Sequence, residues 1–530
     1  MYARRSAGKH AAKQRIGPDP EEMTPILVTL PAVSCDKITT EIKEGASDMS
    51  ERQSSPVALT PGVRVFFIGI GGISMAGLAE ISRSYGFEVA GSDRHTSPRT
   101  DRLATLGITI HSGHSAEWID AFSPDLVVHT AAVHEDNPEW IRARALGIPV
   151  ADRADYLGWL NQLFRQVVNI SGTHGKTTTT AMCASILVQA DVDPTVHLGA
   201  ELALFGSSVR LGQPGEVMVS EACEYMKSFL RFYSTTAAIL NIDYDHVDTY
   251  ANLDEVVDAF ATFALLTPPE GTLVVPAFDP GVATMMDRLA DTVEDDVDRL
   301  PRIVSFGMPD DRLRGTPPTV VCTGLRYESG FPCFDVQIEG LPYASIRLRV
   351  PGEHNVKNAL AAIACAWLNG GTPEAAEQAL ASYTGAEGRF DVRGTYRGAT
   401  VISDYAHHPS AARATLQAAR TLPHNHAWVV FQPLTFSRTR VLFDDFVEAL
   451  LPCEYVIFSE IFSDRETNPG DMSSSMLADR VNDRGGHAVF AKGFEEIQSL
   501  LDAVVSEGDL ILVLGPEDIR EFADWLIARA

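Results

Sequence analysis

Along residues 63–158, short apolar runs alternate with stretches of helical period. VRVFFIGI, FEVAGSD, DLVVHTAAV and GIPVADRADYL read as strands with helices between them. This alternation predicts a parallel sheet covered by helices. The turns after Ile70, Ala90 and Val128 then gather at the carboxyl ends of the strands, where such sheets bind ligands. A second unit opens at QVVNISGTHGKTTTTAMCASILVQA and continues through EVMVSEACEY and AAILNIDYDHVD. Between residues 318 and 350, CFDVQIEG and ASIRLRV alternate apolar with polar positions and predict added antiparallel strands. EHNVKNALAAIACAWLNGG then gives an Ala-rich helix stopped at Gly370-Gly371. From about residue 388, ATVISDYA, HAWVVFQP, YVIFSE, HAVFA and DLILVLG predict another open α/β sheet.

The expected fold class is therefore α/β in three domains, over residues 61–160, 161–387 and 388–530, behind an extension at 1–60. The linkers near 158–162 and 385–392 are the expected hinges. The length of 530 residues agrees, since one ordinary core does not organise so long a chain. Residues 1–60 lack sustained periodicity and are rich in charge, Ser and Pro, which predicts a mobile extension. Met49, directly before the first strand, is a candidate start of translation.

The net charge of −27 argues against a nucleic-acid surface, which needs clustered Lys and Arg. No run is long and apolar enough to span a membrane. Seven scattered cysteines without C-x-x-C spacing predict reduced thiols in a cytoplasm, with neither a disulfide framework nor a zinc site.

Two strand-to-helix turns carry glycine. The first, Gly69-Ile70-Gly71-Gly72, is followed by a second strand ending at Asp93. It matches G-x-G-x-x-G at Gly69 and Gly71 but has Ser74 in the third place. Glycine lets the backbone approach a diphosphate, and the N–H groups of the helix start favour negative charge; which diphosphate is bound stays open. A tight turn without a ligand is the plain alternative.

The second, Ser171-Gly172-Thr173-His174-Gly175-Lys176-Thr177, follows the strand VVNI and opens a helix. Ile170 stands where the strict phosphate loop has its first glycine. The shorter form keeps what a triphosphate needs: free backbone N–H groups, a lysine against β/γ charge, and a Thr177 hydroxyl for Mg²⁺. Carboxylates at neighbouring strand ends would complete a magnesium site. Glu221 fits, and Asp245 and His246 follow AAILNI in a similar way. Each could instead be a cap or a solvated charge, and Glu224 could equally be a first-turn helix acid.

SGTHGKTTTTAM, NIDYDHVDTY, EHNVKNALAA, GRFDVRG and SDYAHHPSA occur in this order, with GIGGISMAGLAEI before them. Together they resemble the Mur ligases, the ATP-dependent amide-forming enzymes of peptidoglycan synthesis, from about residue 63 onward. The opening motifs are most similar to the members that join L-alanine to UDP-N-acetylmuramate. The resemblance implies that the first domain, although dinucleotide-like, holds the UDP of a nucleotide sugar. Gly71, Gly72, Ile73 and Ser74 would lie against the diphosphate, and Ser92, Asp93, Thr130 and Ala131 would line the remaining edges.

It further implies ATP on Gly172, Thr173, His174, Gly175, Lys176, Thr177 and Thr178, and Mg²⁺ on Thr177, Glu221 and His246. Asn355 and Asn358 would face the adenine, while Arg389 and Asp404 would reach phosphate and ribose from the domain junction. His407 and His408 would sit by the amino acid or the muramoyl group, and Arg438, with Arg440 behind it, by the amino-acid carboxylate. Lys176, Glu221, His246 and His407 are the implied catalytic set, and a monomer or weak homodimer is expected. Without the resemblance, Arg389 reads as an ion-pair partner and His407-His408 as the cap of a helix near Pro409.

Two departures stand out. Leu434 replaces a usual histidine, and ACEYMKSF replaces a more acidic run after Glu221. A ligase adding a peptide to the same nucleotide sugar is the nearest rival. A nicotinamide-dependent dehydrogenase would leave the GKT loop unexplained.

Overall fold

The computed structural model describes residues 54–529, apart from 131, 203, 294, 295, 464 and 465. The proposed start at Met49, most of the expected extension and Ala131 lie outside the described residues. Among the described residues no helix is long and apolar enough to cross a membrane, and the six described cysteines are free thiols.

Three sheets succeed one another. The first contains β1 (Arg64–Ile68), β2 (Glu88–Asp93), β3 (Thr109–Ser112), β4 (Leu126–His129) and β5 (Val150–Asp152). All are parallel, in the order β3-β2-β1-β4-β5. Val65, Phe66, Phe67 and Ile68 are all buried, which is why this central strand reads as an unbroken apolar run. The order reverses beside β1, and the first glycine turn sits at that reversal.

The second sheet has ten strands. They are β6 (Gln166–Ser171), β7 (Thr195–Leu202), β8 (Ser207–Arg210), β9 (Val217–Glu221), β10 (Thr236–Ile239), β11 (Thr272–Pro276), β12 (Arg302–Gly307), β13 (Val320–Glu328), β14 (Phe331–Ile338) and β15 (Leu341–Arg347). Their order is β15-β14-β13-β12-β11-β10-β6-β9-β7-β8. The expected antiparallel addition is the run β13-β14-β15. β6 lies between β10 and β9, so three strand ends with chemistry on them are neighbours. The helix Lys176–Gln189 packs against the Ala-rich helix Glu353–Leu368, whose small side chains permit a buried contact over much of its length.

The third sheet holds β16 (Asp391–Tyr396), β17 (Ala399–Asp404), β18 (Ala427–Phe431), β19 (Tyr455–Phe458), β20 (Ala488–Phe490) and β21 (Leu510–Leu514), in the order β16-β17-β21-β18-β19-β20. β16 is an antiparallel edge strand whose side chains are mostly exposed or half-buried, so it carries no apolar signal in the sequence.

The first expected hinge is not a hinge. Residues 153–161 form the helix Arg153–Asn161, with Tyr156, Leu157 and Leu160 fully buried. These side chains belong to one core that runs from the first sheet into the second, through Met218, Phe229 and Phe232. Gly158 backs onto the Arg231 carbonyl so closely that a Cβ would lie 2.0 Å from its oxygen. The second linker differs. Gly385, Gly388 and Phe390 take positive φ of 111°, 67° and 48°, and the third sheet has cores of its own on its two faces. At the other end, Val57 and Leu59 pack against the first core, so ordered chain begins before residue 61.

Candidate functional site

β6 ends at Ser171 and the next helix starts at Lys176, leaving residues 172–175 as the turn. Gly172 and Gly175 have φ of +137° and +86°. A Cβ on Gly172 would lie 2.9 Å from Leu240 Cβ, and one on Gly175 2.5 Å from Asn358 Oδ1. Only glycine fits either place. The Asn241 side chain clamps the turn from both sides: His174 N–H donates to its Oδ1 at 2.8 Å, and its Nδ2 donates to His174 O at 2.9 Å. No side chain caps the helix start, so its first N–H groups are available to an anion.

Lys176 Nζ donates to Gly172 O at 2.6 Å, Thr173 O at 3.2 Å and Glu224 Oε2 at 2.8 Å. Burial opposes the lysine charge, but Glu224 overrides it and raises the pKa. Burial likewise opposes the Glu224 charge, and Lys176 and His246 bring that carboxyl below its ordinary value. The two form a buried ion pair. Glu224 Oε1 is buried without a hydrogen bond; His246 Nε2 makes an electrostatic contact with it at 3.3 Å. Glu221 accepts from Thr177 Oγ1 at 3.2 Å and from Gly199 N–H at 2.8 Å. Burial pushes its carboxyl up.

The structure thus brings Lys176, Thr177, Glu221 and His246 to adjacent strand ends and adds Glu224 as the group joining the lysine to the histidine. From the sequence Glu224 reads equally well as a first-turn helix acid; in the structure it precedes a kinked 3-10 turn, with Met226 and Lys227 at φ 52° and 55°, that no periodicity announces. Asn241 was missed altogether; its position after an apolar strand facing the glycine loop was the available signal.

Asn358 lies against Gly175, and its Nδ2 donates to Asn355 Oδ1 at 3.1 Å. From the third domain, Arg438 donates through Nε to Asp245 Oδ1 at 2.8 Å, and its Nη2 lies 2.6 Å from the same oxygen; both side chains are buried. His408 Nε2 donates to Tyr244 O at 3.1 Å, while its Nδ1 accepts from Ser410 N–H at 3.3 Å, capping the helix Pro409–Ala419. His407 Nδ1 donates to Tyr405 O at 2.8 Å, which leaves Nε2 with a lone pair. Burial, and then Arg438, hold this imidazole well below its usual pKa, so it is neutral. The Arg389 guanidinium stands over the Tyr405 ring at 5.1 Å. Asp404 is buried and accepts from Phe390 N–H at 3.1 Å and Thr415 Oγ1 at 3.0 Å, so one of its oxygens is engaged in holding the linker to the third sheet.

The first-domain residues form a separate group at the end of their own sheet. Gly71 N–H donates to Asp93 Oδ2 at 2.8 Å and Gly72 N–H to Gly69 O at 3.2 Å. Both amides are thus engaged within the turn, and Ile73 and Ser74 stand at the uncapped start of the helix Ile73–Ser84. Ser92 is fully buried and donates to Glu139 Oε2 at 2.8 Å, beneath the surface it was expected to line. Thr130 Cγ2 fills the space beside Gly69. Ser74 connects this group to the second sheet. Its Oγ lies 3.1 Å from His197 Nε2, and His197 Nε2 also donates to Ser74 O at 3.2 Å. Two residues along β7, Gly199 N–H holds Glu221.

Known proteins match this arrangement. Residues 64–165 match the Mur ligase family, catalytic domain; residues 170–366 the Mur ligase middle domain; and residues 388–516 the Mur ligase, glutamate ligase domain. Over 463 residues the chain is 40% identical to the UDP-N-acetylmuramate–L-alanine ligase of Acetivibrio thermocellus, with 87% of this chain and 95% of that protein covered. The crystal structure of the UDP-N-acetylmuramate-alanine ligase of Thermotoga maritima superposes with a TM-score of 0.68 at 30% identity, covering 88% of this chain and 98% of that one. A murein peptide ligase from Psychrobacter arcticus shares the fold, with a TM-score of 0.63 at 22% identity over 88% of this chain and 98% of its own. Three domains in the same order, and a relative this similar over nearly the whole of both chains, establish that the chain belongs to the Mur ligase family.

Proposed function

We propose that this chain is an ATP-dependent ligase that joins L-alanine to the lactyl carboxylate of UDP-N-acetylmuramate in the cytoplasm, releasing UDP-N-acetylmuramoyl-L-alanine, ADP and phosphate. One observation carries the reading. A relative with this named activity is 40% identical over 87% of the chain and 95% of its own length. Among solved structures, peptide-adding ligases are 22% and 27% identical to the chain, against 30% for the alanine ligase.

A carboxylate cannot acylate an amine directly, because oxide is too poor a leaving group. Transfer of the γ-phosphoryl group of ATP to the lactyl carboxylate forms an acyl phosphate and ADP. The amine of L-alanine then attacks the acyl carbon, and the tetrahedral intermediate collapses with loss of phosphate. Lys176 and the helix N–H groups would hold the β/γ-phosphates and offset charge as two anions approach. The neutral His407, with Nδ1 committed to Tyr405, offers Nε2 to the proton released from the alanine ammonium group. Arg438 would place the amino acid at the seam.

The hydroxyl of Thr177, the carboxylates of Glu221 and Glu224 and the unbonded Glu224 Oε1 are hard oxygen donors that suit Mg²⁺. His246 would join them. Bound there, magnesium would supply positive charge that offsets the crowding of phosphate and carboxylate oxygens.

Phosphate release from ATP should be measured with UDP-N-acetylmuramate and a panel of amino acids and peptides. Release with L-alanine, and a product of the matching mass, is the expected result. Release only with a peptide would transfer the assignment to the rival.

A further inference from the structure

A second cluster lies beside the Lys176–Glu224 pair, where the phosphate loop meets the third domain. His174 Nε2 is 3.3 Å from Asp243 Oδ2, and His408 Nδ1 is 3.8 Å from the same oxygen. The three potential ligand atoms all lie within 4.8 Å of one another. They come from three segments far apart in sequence: the glycine turn, the loop after β10 and the start of the helix Pro409–Ala419.

The surroundings orient them as metal ligands are oriented. The Tyr244 carbonyl can only accept, so His408 carries its proton on Nε2 and keeps a lone pair on Nδ1, 3.8 Å from Asp243 Oδ2. An imidazole that donates its other N–H to a backbone carbonyl is the usual partner of a bound metal. Ser410 Oγ donates to Asp243 Oδ2 at 2.6 Å and fixes the carboxylate. A metal would replace two contacts: the long Ser410 N–H bond to His408 Nδ1, 3.3 Å, and the His174 Nε2–H bond to Asp243 Oδ2, also 3.3 Å. Zinc–ligand distances of about 2.0–2.2 Å place tetrahedral ligand atoms about 3.3–3.6 Å apart, so the cluster needs only a modest contraction. His174 and Asp243 are partly exposed, which leaves one side open to water. Two imidazole nitrogens and one carboxylate select Zn²⁺-like ions over Mg²⁺.

We propose that His174, Asp243 and His408 form an open site for a divalent transition-metal ion of the zinc class, which fastens the third domain to the phosphate loop. The site is separate from the oxygen-rich one at Thr177 and Glu221. A bound ion would hold the domains closed and engage the ring of His174 within the phosphate loop, so occupancy would slow turnover.

Co²⁺ is the probe. Titration of the full chain should give visible absorption bands of a four- or five-coordinate ion, saturating at one equivalent. Zn²⁺ should displace it and millimolar Mg²⁺ should not. His408→Gln and Asp243→Asn should each weaken Co²⁺ binding at least tenfold, and Glu221→Gln should leave it unchanged. Melting temperatures of the metal-free variants check that each is folded, and the two variants serve independently. Zn²⁺ should also compact the wild-type chain in small-angle scattering and leave His408→Gln as it was. Bands that survive in both His408→Gln and Asp243→Asn but vanish in Glu221→Gln would place the ion among the oxygen ligands and overturn the proposal. So would the absence of stoichiometric Co²⁺ binding. These readouts do not depend on which amino acid is ligated.

Discussion

The chain turns from strand to helix over glycine twice, at residues 69–72 and at 172–175, and the two turns work in opposite electrostatic senses. At the first, an acid fills the space: Gly71 donates to Asp93, and Arg99 Nε donates to Gly71 O at 2.9 Å. At the second, a lysine fills it: Lys176 reaches back to two loop carbonyls and is balanced by Glu224 from the loop beyond the neighbouring strand. Glycine content alone says that backbone is close by. What the turn can hold depends on which charged side chain the next strand delivers to it. A triphosphate requires the cationic arrangement, whereas a nucleotide sugar can be read by an acid through its hydroxyl groups.

The sharpest way to break the comparison is to remove the cation. Lys176→Ala should lower kcat by roughly three orders of magnitude, as removal of such cations does in phosphoryl transfer. It also leaves Glu224 buried with only His246 beside it, so the double variant Lys176→Ala/Glu224→Ala should regain thermal stability while remaining inactive. Recovery of both would mean that the pair is only structural.

The next largest effect lies at the seam with the third domain. Burial pushes the Asp245 carboxyl up, and Arg438, with His246 and His408, holds it well below the carboxylate range. Arg438→Ala should weaken docking of the third domain by about 3–5 kcal/mol, the usual cost of breaking a buried pair. Faster proteolysis within 385–392 would report it, with unchanged cleavage as the contrary result.

His197 separates the turns by pH. Burial, with a smaller contribution from Arg153, pushes this imidazole down to about 4. A folded-state value below the unfolded one of about 6.5 means that its contribution is complete above pH 6.5 and is lost as pH falls toward 4. Stability should fall by up to about 3 kcal/mol across that window. His197→Asn should remove this part of the pH dependence, and parallel melting curves for both proteins between pH 7 and 4.5 would refute it. Asp93→Asn should have the smallest effect. Loss of a charged hydrogen-bond partner, worth about 1.5–3 kcal/mol, should raise KM for the nucleotide sugar about tenfold and leave KM for ATP alone.

How far the sequence foretells all this depends on where each signal resides. Strands buried on both faces, such as β1, β6 and β21, are plain as apolar runs, and the GKT loop is plain because glycine and lysine have few other reasons to meet there. β16 is invisible because an exposed edge needs no apolar pattern. Glu224 and Asn241 act through tertiary approach to the loop, across a kink and a strand gap that spacing does not encode. The supposed hinge at 158–162 failed for a similar reason. Its residues look like a linker between two units, yet Tyr156 and Leu160 are core side chains to both.

That shared core also determines how the molecule should come apart. A cooperative melting unit is defined by continuous buried contact, and here two sheets draw on one such body of side chains while the third keeps its own. Calorimetry should accordingly resolve two transitions in a protein with three sheets: one for residues up to about 382 and one for the remainder. Nucleotide added alone should raise the first transition, and the second should follow only when the seam is closed.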